Sequence, residues 1–182
     1  SHHIDNNIFN INLISKKDID ILIYGNNSDF YPFRQRLFNL IKNSDIKYFE
    51  IPFPGYGDER NPLKYDPIIE KKLAHVINRS KFTICTSSKF DYLLKKYLEV
   101  SLCGSIIIGN MPSIDGKLFG DNYISLNDNM TDTEIINIIK NSIINYNDSY
   151  YQQKRINAYN ICYENYTYKE GCKKFDKLIS EL

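Results

Sequence analysis

A chain of 182 residues is long enough for one ordinary domain with its own core and short for two. Its 23 basic and 22 acidic residues leave a net charge of +1, which gives no electrostatic ground for a nucleic-acid or membrane-surface partner. A hydrophobic fraction of 42% excludes a disordered chain, and no apolar run approaches the roughly 18 residues of a membrane span.

Asp18 to Gly25, DIDILIYG, is a short apolar run ending in glycine and predicts a buried strand. In the next stretch, YPFRQRLFNLIKN, Pro32 suits a first helical turn, and Phe33, Leu37, Leu40 and Ile41 recur at helical spacing. DIKYFEIPF predicts a second strand, and PGYGDERNP, with two prolines and two glycines, a loop. Asp66 and Pro67 read as the N-cap and first position of a helix ending near Arg79. KFTICT predicts a third strand, Tyr92 to Leu102 a helix, Ser105 to Ile108 a fourth strand and YIS at Tyr123 a short fifth. The remainder is helical: Thr131-x-x-Glu134 and Thr167-x-x-Glu170 read as capping boxes, with a helix from Ser149 to Asn165 between them.

Strands that alternate with helices predict an α/β fold. The expected form is one Rossmann-like, doubly wound domain over 1–182, its mostly parallel sheet covered by helices on both faces, with a helical C-terminus. Such sheets take ligands at the carboxyl ends of their strands, beside helix N-termini. Cys85 and Cys103 stand in apolar surroundings and read as core thiols, and His75 reads as a structural mid-helix residue. The four cysteines contain no C-x-x-C pair, so no metal is expected and a reducing, cytoplasmic compartment fits.

Three segments should meet at the carboxyl edge. GNNSDFYPFRQR carries Arg34 and Arg36 at a helix start, PFPGYG carries Tyr56, and TSSKFDYLLKKYLE carries Asp91, Lys95, Lys96, Tyr97 and Glu99. Asp91, Lys95 and Glu99 are four apart and would share one helix face. Two arginines, two lysines and free helical N–H groups suit a diphosphate; Glu99 suits a sugar diol, and Tyr56 a stacked base. The same residues also read as an exposed ladder of ion pairs, two solvated arginines and a plain loop aromatic.

Asp91 to Gly104, DYLLKKYLEVSLCG, followed by the strand and proline turn SIIIGNMP, resembles the E-x7-E segment of GT-B glycosyltransferases. YISLND with MTDTEIINIIKNSI looks like that family's closing strand and helix, ENYTYKEG like its final segment, and HHIDNNIF like the opening of its donor domain. The resemblance spans nearly the whole chain but only the C-terminal half of such an enzyme. It implies transfer of a sugar from a UDP- or GDP-sugar, an N-terminal acceptor domain outside this chain, and no metal or other cofactor. It assigns Glu99 to the donor ribose and Asp91 to the place of the first, catalytic acid. Asp91 replaces the usual glutamate, and Tyr92-Leu93-Leu94 stand where relatives carry Phe-Gly. These departures shift phosphate binding onto Arg34, Arg36 and the lysines. The other function class is a non-catalytic nucleotide-binding or protein-interaction module that retains the fold.

Overall fold

The computed structural model describes residues 3–11, 16–53, 57–58, 61–62, 67–113 and 116–180. In chain order the elements are β1 (Ile19–Tyr24), α1 (Pro32–Lys42), β2 (Tyr48–Ile51), β3 (Gly57–Asp58), β4 (Asn61–Pro62), α2 (Pro67–Arg79) and β5 (Ser80–Cys85). They continue with α3 (Lys95–Leu102), β6 (Ile106–Gly109), α4 (Gly116–Phe119), β7 (Ile124–Ser125), α5 (Asp132–Ile144), α6 (Ser149–Tyr166) and α7 (Tyr168–Ser180).

Five strands form one sheet in the order β2-β1-β5-β6-β7, and every pairing in it is parallel. The expected doubly wound α/β architecture is therefore present, with a sheet that is wholly rather than mostly parallel. Apolar residues alternate across the strands and so feed two cores. Ile21, Ile23, Phe82, Ile84, Ile106 and Ile108 pack against Phe33, Leu37 and Ile41 of α1 and Ile135 and Ile139 of α5. On the other face Leu22, Tyr24 and Ile107 meet Ala74 and Ile77 of α2, Tyr97 and Leu98 of α3, and Ala158 and Cys162 of α6. The N-terminal segment closes this second core with Ile4 and Phe9. Gly104 turns the chain from α3 into β6 at φ +62°, and a Cβ there would stand 2.5 Å from the Ile11 side chain. Glycine meets both demands.

Four expectations change. The stretch read as a loop contains the antiparallel β3–β4 hairpin. The helix expected from Tyr92 starts at Lys95. His75 is exposed on α2 rather than set among apolar residues. Thr167 is the C-cap of α6, its hydroxyl donating to the Tyr163 carbonyl, while Glu170 pairs with Lys173. Cys85 and Cys103 are buried, as expected of core thiols, and Cys162 is buried with them.

Candidate functional site

After β1 the chain winds outward to β2, then crosses back to lay β5 on the other side of β1. The winding direction reverses between β1 and β5, and the carboxyl ends of these two strands open the crevice in which doubly wound sheets hold ligands. The residues leaving those ends are Gly25 and Asn26 after β1, and Thr86 after β5.

Arg34 reaches into this crevice from the first turn of α1 and is 2% exposed. Its Nη1 donates to the Asn26 carbonyl at 2.7 Å, its Nε to Thr86 Oγ1 at 3.2 Å and its Nη2 to the Thr86 carbonyl at 3.1 Å. The guanidinium lies 3.9 Å from the Tyr31 ring centroid. These bonds engage three of the five N–H groups that a guanidinium carries. Burial lowers its pKa, but from a value so high that the group stays charged.

Lys96 enters from the first turn of α3 and is also buried. Its Nζ donates to the Tyr24 carbonyl at 2.6 Å and sits 4.0 Å from the Tyr24 ring centroid. Burial brings its pKa down to about 7, and the Arg34 charge pushes the same way. The two cations converge on Gly25: a Cβ there would lie 3.6 Å from Arg34 Nη1 and 3.9 Å from Lys96 Nζ. Gly25 has φ +93°, which favours glycine and keeps its face bare. Neither Tyr31 at the N-cap of α1 nor Leu94 at that of α3 makes a side-chain cap bond, and neither first turn holds an acid. Two helix N-termini without side-chain caps thus flank two cations, an arrangement that favours an anion.

Behind Gly25 lies an acidic centre. Glu99 is buried, and burial raises its pKa despite the neighbouring Lys95. Its Oε2 accepts from Tyr24 Oη at 3.3 Å, and its Oε1 faces Lys95 Nζ at 3.4 Å. Lys95 is held more closely by Glu70 of α2, at 2.7 Å. Burial works against the charge on Lys95, and the Glu70 bond and the Glu99 field overcome it and raise its pKa. Glu99 is therefore no member of an exposed ladder.

The other expected residues divide. Tyr97 is 0% exposed, and its hydroxyl donates to the Asn110 carbonyl at 2.7 Å, so it is core and cannot touch a ligand. Asn110 in turn binds Ser87 through both its amide groups, fixing the ends of β5 and β6 together. Arg36 leaves the site: its guanidinium takes Asp132 Oδ1 at 2.6 and 2.9 Å and the carbonyls of Asp128 and Met130, pinning α1 to the start of α5. Asp91 precedes α3, so it shares no helix face with Lys95 and Glu99; its φ is +51°, and its carboxylate accepts from the Ser113 N–H and hydroxyl. Tyr56 lies outside the described residues. Glu70, Tyr24 and Thr86 were not singled out in the sequence, because their partners stand 25, 75 and 52 residues away.

Among the described residues no group of three or more His, Cys, Asp or Glu could hold a metal ion, and no helix is long and apolar enough to cross a membrane. No protein-family model matches the sequence, and no curated protein does. Among solved structures the chain is similar to the pneumococcal O-GlcNAc transferase GtfA in complex with UDP and GlcNAc, with a TM-score of 0.59 and 15% identity over 98% of this chain. It is similar also to the GtfA/B complex, with a TM-score of 0.60 and 14% identity over 96% of the chain. In each case it spans 38% of the other chain's length. At these identities the likeness is one of fold.

Proposed function

We propose that this chain is the nucleotide-sugar donor-binding domain of a glycosyltransferase, the C-terminal half of a GT-B fold that moves a sugar from a UDP- or GDP-sugar to an acceptor held by another domain. One observation carries the reading: two buried cations from different helices meet over a bare glycine at the switch point of the sheet. The shared fold of a transferase that binds UDP and GlcNAc supports it. A diphosphate over Gly25 would meet Arg34, Lys96 and the N-termini of α1 and α3, and its charge would hold Lys96 protonated. Glu99 would take the ribose diol. Its present contacts, at 3.3 and 3.4 Å, are long for a charged acceptor, so exchanging them for hydroxyls costs little. The reading includes no metal or further cofactor. The alternative, a binding module without catalysis, draws on the Asp91 carboxylate being turned to Ser113.

Calorimetric titration with UDP, GDP, uridine and guanosine tests the proposal. One diphosphate should bind clearly better than its nucleoside. Lys96→Met should weaken the diphosphate by roughly 10- to 150-fold, the worth of about 1.5–3 kcal/mol for a charged hydrogen bond, and leave the nucleoside unchanged. Arg36→Ala should change neither. Absence of binding by both diphosphates, or equal losses with and without the phosphates, would refute the donor site.

A further inference from the structure

We propose that the cavity beside Gly25, between the β1–α1 and β5–α3 loops, holds the glycosyl unit of the donor as a neutral pyranose seated on Phe30 and Phe90; this rests on the donor-site reading above. The cavity has a volume of about 370 Å³, near the lower end of the roughly 300–1,000 Å³ of ligand pockets, which suits one monosaccharide.

Position comes first. Tyr24, Gly25 and Asn26 are consecutive and lie along three subsites. Tyr24 bonds Glu99, Gly25 is bracketed by Arg34 and Lys96, and Asn26 accepts from Arg34 and lines the cavity. A nucleoside diphosphate sugar has the same order: diol, diphosphate, sugar. With the ribose at Glu99 and the diphosphate at Gly25, the group beyond the second phosphate falls in this cavity.

The lining comes second. Phe30, Phe90 and Tyr92 are 48%, 63% and 46% exposed. Single exposed apolar residues are ordinary, but three large rings around one cavity form a patch that a ligand can cover. Phe30 and Phe90 are in contact, centroids 6.0 Å apart and planes tilted by 31°, so they leave no parallel slot for a base between them. They present a continuous apolar surface to the C–H face of a sugar ring. Lys89 Nζ, 4.4 Å and 5.3 Å from the two centroids, marks the rim. Ser28 Oγ, buried and without a hydrogen-bond partner among the described residues, supplies a polar group for a ring hydroxyl. The described lining residues are all uncharged, so an ammonium-bearing sugar would find no counter-ion there.

The test uses the full chain and Phe90→Ala, a substitution at an exposed site that folding tolerates. UDP, GDP, UDP-glucose, UDP-N-acetylglucosamine and GDP-mannose are titrated into both. The native chain should bind at least one sugar nucleotide roughly 2- to 10-fold more tightly than its parent diphosphate. Phe90→Ala should abolish that increment and leave the parent's affinity intact. An increment that is absent from the native chain, or that survives in Phe90→Ala and in Phe30→Ala, overturns the proposal while the diphosphate site stands. Equal weakening of diphosphate and sugar nucleotide gives the rings to the base and also overturns it. If no diphosphate binds at all, the donor-site reading fails and takes this proposal with it.

Discussion

Lys96 and Arg34 are both cations withdrawn from water, yet only Lys96 makes stability depend on pH near neutrality. Its pKa is about 7 in the folded chain and ~10.4 when unfolded. Below pH 7 it carries its charge in both states, and the folded chain bears the full cost of burying it. Between the two values the unfolded chain binds the extra proton, so stability rises with pH, at up to about 1.4 kcal/mol per unit. Lys17, also lowered to about 7 by burial and by the Arg155 charge, adds a second contribution of the same sign. Comparing the native chain with Lys96→Met isolates the first. Urea unfolding at pH 7.0 and 8.5 should show the native chain gaining roughly 1–2 kcal/mol relative to the variant. A parallel pH response in the two proteins would mean that Lys96 keeps an ordinary pKa. Arg34 stays charged throughout this range and contributes no such gradient.

At the scale of elements, the helix starts separate what the sequence reveals from what it conceals. The α5 cap was legible because it is local: the Thr131 hydroxyl accepts from the Glu134 N–H, and the Glu134 carboxylate accepts from the Thr131 N–H three residues back. The start of α3 was not legible. Tyr92, Leu93 and Leu94 continue the apolar pattern, but Leu94 is extended, and Asp91 is held at φ +51° by Ser113, which is 22 residues away. The same holds for Arg36. Its place in the sequence points to the crevice, and only the fold brings Asp132, 96 residues on, to take its guanidinium. Thr131→Ala should cost about 1 kcal/mol, within the 0.5–2 kcal/mol typical of caps, measured as a shift in urea midpoint at constant m. Nucleotide affinity should not move, since α5 lies outside the proposed site. A neutral substitution would show that Asp132 and the Arg36 link hold the end of α5 without the cap.

At the scale of the molecule, the strand–helix alternation made the layered fold legible, while strand order and the convergence at Gly25 required the structure. The same view locates the folding unit. The apolar clusters on both faces of the sheet draw on every helix from α1 to α6, the short α4 through Phe119 alone, and they include no residue of α7. No α7 residue is buried, and Phe175 and Leu178 are each 63% exposed. What fastens that helix lies at its start. Main-chain bonds join Ile4 to Tyr166 and Tyr168, and Gly171 sits so close to His3 that a Cβ would come within 2.6 Å of the ring. Removing residues 172–182 keeps all three contacts. The truncated chain should unfold in a single transition with stability within about 1 kcal/mol of the native value, as expected where only exposed side chains are lost. In the native chain, amide exchange over 173–180 should be faster than in α3 or α6. Loss of the cooperative transition on truncation would show that α7 belongs to the core.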